Sequence, residues 1–148
     1  EAQGRVEEAA AQFREAVRLD PGFANAHYNL GNVLLTLGRV DEAAVEYRET
    51  LQLEPDHAQA HANLGYAQQQ QGALDEAIVH FREAARLQPG SVESLNNLGS
   101  ALARSGELRE AIGLFQRALA IQPTHAQARD NLELALEIAQ ELERQEPR

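Results

Sequence analysis

An asparagine recurs every 34 residues along this chain, and each one directly precedes a leucine. A primary amide both donates and accepts hydrogen bonds, so evenly spaced amides can grip the backbone of an extended peptide with little regard for its side chains. The alternative is that each asparagine bonds to its own scaffold. Both hypotheses stay open for this set, which we call the asparagine ladder: Asn29, Asn63, Asn97 and Asn131.

Histidines could bind a metal ion, and His57 and His61 are four residues apart, as on one face of a helix. His27 and His61 occupy the same position of the repeat. His57 and His125 occupy another, so duplication accounts for the spacing. No cysteine or carboxylate cluster completes a site, and phosphate-binding glycine loops and common hydrolase motifs are absent. The sequence therefore predicts no metal, no cofactor, no catalytic residue and no enzyme activity.

Prolines, glycines and aromatic residues recur at the same interval of 34 residues. Glycine ends a helix at low cost and proline cannot continue one, so these residues divide the chain into helix–turn–helix units. A period of this length with helical patterning is the signature of a stacked helical array. The recurring residues are Pro21, Pro55, Pro89 and Pro123, Gly4, Gly38, Gly72 and Gly106, and Phe13, Tyr47, Phe81 and Phe115.

The period predicts one domain built from two-helix units. In each unit a first helix ends at the glycine, and a second helix ends just before the proline. The segments expected in the domain 1–148 are a half repeat (1–23), three complete repeats (24–57, 58–91 and 92–125) and a C-terminal capping helix (126–148).

The two ends depart from the repeat in different ways. Val6–Leu19 matches a second helix and Gly4 a turn glycine, so we expect the array to continue upstream in a longer protein. At the other end, Glu133 replaces a glycine inside the first helix and Gln140 replaces the turn glycine. We therefore expect Ala126 to about Leu142 to form one capping helix with a polar outer face.

Glycines inside the first helices predict a close helix–helix contact. Glycine costs about 0.5–1 kcal/mol relative to alanine in a helix, so three in one repeat position need a packing reason. We expect Gly31, Gly65 and Gly99 to face the small residue of their own second helix, which is Ala43, Ala77 or Ala111. In helical repeats of the kind that this pattern resembles, a large residue is usual four positions into each unit. Here the chain has His27, His61 and Leu95 at that position, so we expect looser packing there.

The composition restricts the classes of partner that the chain can bind. The formal net charge of −10 argues against nucleic acid, whose binding depends on Lys and Arg. No apolar run approaches the ~20 residues of a membrane span, so membrane insertion is not expected. The chain has no cysteine and no signal peptide pattern. The location stays open on these grounds, with the cytoplasm favoured over secretion.

The combined pattern resembles the tetratricopeptide repeat (TPR): Leu-Gly in the first helix, a turn glycine, Glu-Ala opening the second helix, an aromatic residue, a small residue and a proline. The resemblance implies an all-α, right-handed α-solenoid whose first helices line a concave groove. The repeated Asn-Leu-Gly is similar to the ladder of O-linked N-acetylglucosamine transferase arrays. A chaperone-type carboxylate clamp is not expected, because Tyr28, Glu93 and Asn97 occupy the positions where its cations would lie.

The resemblance implies a protein–protein interaction scaffold that binds an extended peptide or a partner protein in the groove. Two alternatives remain open: a substrate-selecting or dimerising segment of a larger enzyme such as a glycosyltransferase, and a self-assembling scaffold that forms homo-oligomers through exposed terminal helices. We expect Asn63 and Asn97 to bond to the main chain of the ligand. The predicted peptide-binding residues are Tyr28, Asn29, Asn32, Asn63, Tyr66, Asn97, Ser100 and Asn131.

Overall fold

The computed structural model describes residues 2–145, and all regular secondary structure in that range is α-helical. The helices follow the order first helix, second helix that the repeat predicts. They are α1 (Ala2–Leu19), α2 (Ala24–Thr36), α3 (Val40–Leu53), α4 (Ala58–Gln70), α5 (Leu74–Leu87), α6 (Val92–Ser105), α7 (Leu108–Ile121) and α8 (Ala126–Gln145).

A glycine in the left-handed conformation follows each of α2, α4 and α6. After α2, the Gly38 amide donates to the Leu35 carbonyl at 3.0 Å, and the Arg39 amide donates to the Leu34 carbonyl at 2.9 Å. This pair of hydrogen bonds is the Schellman motif, which satisfies the last carbonyls of a helix. The predicted turn glycines are confirmed, with φ of 73° at Gly38, 81° at Gly72 and 91° at Gly106.

The expectation that Gly4 ends a helix is wrong. Gly4 lies inside α1, which runs without interruption over Ala2–Leu19. Residues 2–5 are helical and continue directly into the predicted second helix.

The described chain forms two compact units, one up to His80 and one from Phe81 onward. In the first unit α1 packs on α2, α2 on α3, and α3 on α4. Its core draws on all four of these helices and consists of Ala10, Leu30, Leu34, Ala43, Ala44, Tyr47, Leu64 and Ala67.

In the second unit α6 packs on α7, and α8 packs on both. Leucines and alanines of α6 and α7 fill the interior around the Phe115 ring. The buried apolar residues of these three helices are Leu95, Leu98, Ala101, Leu102, Leu108, Ala111, Leu114, Phe115, Ala118, Ala128 and Ala135.

The first-helix glycines contact an aromatic ring rather than a small residue. A Cβ built on Gly31 would lie 2.7 Å from Cε1 of Tyr47, and one on Gly99 would lie 2.6 Å from Cε1 of Phe115. The prediction that these two glycines face an alanine is therefore wrong. The missing Cβ leaves room for the face of a ring, which comes from the second helix of the same repeat.

The packing at His27 is also tighter than expected. His27 is only 6% exposed, and its Nδ1 lies 2.7 Å from Oε2 of Glu46 while its Nε2 lies 3.0 Å from the Pro21 carbonyl oxygen. The side chain ties α2 to α3 and to the preceding turn.

His61 makes the corresponding contacts one repeat later. Its Nε2 lies 2.9 Å from the Pro55 carbonyl oxygen, and its Nδ1 lies 3.0 Å from Nδ1 of His80. In the third repeat leucines occupy both positions, Leu95 and Leu114, and both are buried. The expectation of looser packing is therefore wrong at Leu95 too.

The last helix, α8, buries Ala128 and Ala135. The exposed surface of α8 contains the expected polar residues and also apolar ones. Glu133, Glu137 and Glu141 are exposed as predicted. Four large apolar residues are exposed beside them: Leu134, Leu136, Ile138 and Leu142. Within residues 2–145, no helix has both the length and the apolar composition that crossing a bilayer requires.

Candidate functional site

The predicted peptide-binding residues lie on the first helices of the three complete repeats and on the last helix, α8. In the first unit, α2 and α4 carry Tyr28, Asn29, Asn32, Asn63 and Tyr66. In the second unit, α6 and α8 carry Asn97, Ser100 and Asn131. The structure brings some of these residues together within each unit.

Asn32 is the centre of a network in the first unit. Its Oδ1 accepts a hydrogen bond from Nδ2 of Asn63 at 2.8 Å and from the Tyr47 hydroxyl at 2.9 Å. Asn32 therefore links α2 to α3 and to α4. Burial is the main cause that raises the pKa of Tyr47, and the neighbouring Tyr28 raises it further, while the nearby Asn63 amide lowers it. The tyrosine stays a neutral donor to Asn32.

The network leaves one acceptor and one donor group without partners among the described residues. The Asn63 Oδ1 accepts no hydrogen bond from them, and the Asn32 Nδ2 donates none. A peptide backbone presents the complementary pair, an N–H and a C=O, at every residue.

Two tyrosines lie beside this network. Tyr28 is half-buried, and its ring centroid lies 4.6 Å from that of His57 and 6.1 Å from that of Tyr47. Tyr66 is 47% exposed, and its hydroxyl accepts a hydrogen bond from Nε2 of Gln70 at 2.7 Å. The exposed Tyr66 ring lies one helical turn from Asn63 and adds an apolar surface to the site.

In the second unit, Asn131 bonds to the preceding first helix. Its Nδ2 donates to Oδ1 of Asn96 at 2.9 Å and to Oγ of Ser100 at 3.0 Å. Both amide hydrogens are thereby used, and the Asn131 Oδ1 has no partner among the residues described. Asn96 itself is 2% exposed.

The ladder thus has two kinds of member. Asn63 and Asn131 make scaffold bonds to the preceding first helix, which was the alternative hypothesis for the ladder. Asn29 and Asn97 are half-buried and make no hydrogen bond to another side chain in the described range. Contact of the ladder with a ligand stays a prediction.

The sequence analysis missed Tyr47, which bonds to Asn32, and Asn96, which bonds to the ladder residue Asn131. A signal for the scaffold bonds was present, because a polar residue precedes Asn63 and Asn131 by 31 positions, at Asn32 and at Ser100. That spacing places the two side chains on adjacent first helices, one turn apart along the helix axis.

The histidines have structural roles. Nδ1 of His57 accepts a hydrogen bond from the Ala60 amide at 3.2 Å, and Nδ1 of His125 accepts one from the Ala128 amide at 3.1 Å. Both therefore cap the N-terminus of a first helix, as serine commonly does. In the part of the chain that the structure describes, no three His, Asp or Glu side chains are grouped to hold a metal ion.

The comparison with family models agrees with the architecture. A model described as TPR repeat matches residues 2–38 and 31–72, and one described as tetratricopeptide repeat matches residues 68–134. The chain belongs to the tetratricopeptide repeat family. A search of curated proteins returns no match.

Several solved structures resemble this one over most of its length. MamA has a TM-score of 0.87 at 22% identity and covers 92% of this chain and 80% of its own. YrrB, a TPR protein with an unusual peptide-binding site, has a TM-score of 0.84 at 25% identity. The match covers 93% of this chain and 71% of the YrrB chain. The first TPR of Spaghetti (RPAP3), bound to the HSP90 peptide SRMEEVD, has a TM-score of 0.75 at 21% identity. The match covers 78% of this chain and 92% of the RPAP3 chain.

These matches confirm the predicted fold class, an all-α solenoid built from TPR helix–turn–helix repeats. The predicted similarity of the groove to that of O-linked N-acetylglucosamine transferase stays a prediction.

Proposed function

We propose that this TPR chain is an interaction scaffold whose first helices bind an extended segment of a partner protein through its main chain. The observation that carries the proposal is the unused hydrogen-bonding capacity of the ladder in both units. Asn63 and Asn131 keep an acceptor oxygen beside their scaffold bonds, and Asn29 and Asn97 keep the whole amide. Among the described residues these amide atoms are not buried, so a ligand backbone can reach them without breaking a scaffold bond.

The scaffold bonds support this function because they fix the amides before the ligand arrives. Asn63 is held by Asn32, and Asn131 is held by both Asn96 and Ser100. A side chain that is already ordered loses less conformational entropy on binding. The fold neighbours are consistent with the proposal, since RPAP3 was solved with a bound peptide and YrrB has a peptide-binding site.

The proposal predicts that alanine at Asn63 and Asn97 weakens partner binding. Each neutral hydrogen bond contributes roughly 0.5–1.5 kcal/mol, so the double variant should bind about 5- to 150-fold more weakly. A pull-down with the wild-type chain identifies the partner, and calorimetric titration then measures the affinity. The matched control is alanine at Gln52 and Gln116, exposed amides on the second helices of the two units.

The two single variants separate binding from folding. Asn63→Ala removes a scaffold bond and should also lower stability, whereas Asn97→Ala removes none among the described residues and should affect binding alone. Affinity should change little with salt, because amides and tyrosines dominate the site. Wild-type affinity in the double variant, together with steep salt dependence, would place binding on the acidic surface instead.

A further inference from the structure

A pocket of about 310 Å³ opens in the second unit beside the last ladder residue. Phe115 and Ala135, which are 1% and 2% exposed, form its floor. The volume is at the lower end of the ~300–1,000 Å³ found for ligand sites, and it fits one or two side chains better than a larger molecule. The lining residues are Ser100, Ala103, Arg104, Phe115, Asn131, Leu134, Ala135 and Ile138.

The walls of the pocket are apolar and open to water. Leu134 and Ile138 are 57% and 41% exposed, although both lie on the helix expected to carry a polar outer face. An apolar side chain that entered the pocket would cover them and remove this surface from water, which is favourable in proportion to the area buried.

The rim of the pocket carries complementary polar groups. The Asn131 Oδ1 is an unused acceptor, as described above. The Ser100 hydroxyl accepts a hydrogen bond from Asn131, so its own hydrogen remains for donation. One acceptor and one donor match the N–H and C=O of a single residue in an extended peptide.

Arg104 supplies the only positive charge in the lining. Its side chain is exposed and makes no ion pair with any residue in the described range. A guanidinium binds carboxylates with good geometry through its planar set of donors. The pocket therefore combines an apolar cavity, a hydrogen-bond donor and acceptor for a peptide main chain, and a cationic side chain.

We propose that this pocket binds a large apolar side chain of an extended segment whose neighbouring residue is Asp or Glu. This inference rests on the proposed function and adds a sequence preference to it. The proposal places the apolar residue inside the segment, where its carbonyl accepts from the Ser100 hydroxyl. The carboxylate that contacts Arg104 then belongs to the side chain of the neighbouring residue, and the free-acid peptide described below tests the alternative of a C-terminus.

Nuclear magnetic resonance titration of the ¹⁵N-labelled chain tests the proposal, because it detects weak binding and reports its location. The probe is the acetylated and amidated peptide Ser-Gly-Leu-Asp-Gly-Ser. We expect it to shift the backbone amides of Ala103, Asn131 and Leu134. Replacing its Leu by Ala should weaken binding by about 10-fold or more, since most of the buried apolar surface is lost. Replacing its Asp by Asn should weaken binding by about 2- to 5-fold, as for an exposed ion pair.

Two substitutions test the pocket from the protein side. Ala103→Leu fills the cavity and should abolish the shifts, whereas Ala120→Leu, at an exposed position of α7, should not. Arg104→Gln should make the Asp and Asn peptides bind equally well. Arg129→Gln makes the same change of charge at an exposed position outside the pocket and should preserve the difference between the peptides.

Several results would overturn the inference. Wild-type binding by the Ala103→Leu chain would do so, as would absence of any shift in these amides. Tighter binding of the free acid Ser-Gly-Leu would show that a C-terminal carboxylate contacts Arg104. Shifts that depend on protein concentration alone would show that a second copy of the chain occupies the pocket. A partner could also bind the Ala103→Leu chain with wild-type affinity and the chain with alanine at Asn63 and Asn97 more weakly. That result would refute binding in the pocket but would agree with the proposed function.

Discussion

At the residue scale, two helical glycines of the second unit have opposite surroundings. A Cβ on Gly99 would lie 2.6 Å from a carbon of the Phe115 ring, whereas a Cβ on Gly113 would meet nothing within 4 Å. The Phe115 ring is 1% exposed and so has little room to move away. The same substitution should therefore have opposite effects at the two positions.

We expect Gly99→Ala to lower the free energy of unfolding by about 1–3 kcal/mol, the usual effect of overpacking. Gly113→Ala should raise it by roughly 0.5–1 kcal/mol, because alanine is the better helix former. Urea unfolding followed by circular dichroism measures both. Equal stabilisation by the two substitutions would show that the ring does not hold the helices together as the structure places it.

The His61–His80 pair predicts a dependence of stability on pH. Burial lowers the pKa of His80, and the neighbouring His61 and Arg48 lower it further. The folded chain therefore favours the neutral ring. This contribution to stability is fully present above the ordinary histidine pKa of about 6.5, and it is lost as the pH falls through the lower folded value.

The chain itself supplies a variant for the test, since the third repeat has leucine at both corresponding positions. We expect His61→Leu with His80→Leu to lose less free energy of unfolding than the wild type between about pH 7.5 and pH 5, a range that spans the histidine pKa. Urea titrations at the two pH values give the difference. Identical pH slopes in the two proteins would refute this role for the pair.

At the element scale, helix ends follow residues that are near in sequence. Left-handed glycines close α2, α4 and α6, and side chains of His57, Ser91 and His125 cap the N-termini of α4, α6 and α8. No glycine interrupts α8, so it continues to Gln145. The length of α8 thus follows from the absence of a turn glycine. Its position follows from the burial of Ala128 and Ala135.

We expect truncation after His125 to destabilise the chain strongly or to cause aggregation, because it uncovers the apolar surfaces of α6 and α7 that α8 contacts. Truncation after Leu142 is the matched control, since it keeps both buried alanines and should fold as the full chain does. Thermal melting and light scattering measure the two outcomes. A monomeric and equally stable chain that ends at His125 would show that α8 is dispensable.

At the scale of the whole molecule, one duplicated unit explains the architecture. The family models match residues 2–134 between them, and the similar solved structures cover most of the chain at low identity. Low identity with a shared fold is expected for a repeat, because a few positions per unit set the helix ends and the close contacts. The remaining positions are open to change, and in this chain they supply the ladder and the pocket.

The turn glycines, the helices and their order were predictable because each depends on residues within one or two turns of the chain. The ladder residues were found in the same way, since they recur with the period. Their hydrogen bonds were not predictable with certainty. Asn63 and Asn32 are 31 residues apart, and the choice of Asn32 also depends on the Tyr47 hydroxyl, which comes from another helix.

The sequence by itself determined that this protein is an array of TPR helix pairs, because periodicity shows which residues occupy equivalent positions. Only the tertiary structure decided which different positions meet. It placed Tyr47 and Phe115 on glycines, paired His27 with Glu46, and left Leu134 and Ile138 exposed around a pocket. These contacts depend on the shapes and hydrogen-bonding groups of side chains from separate helices, and a pattern within each helix does not contain that information.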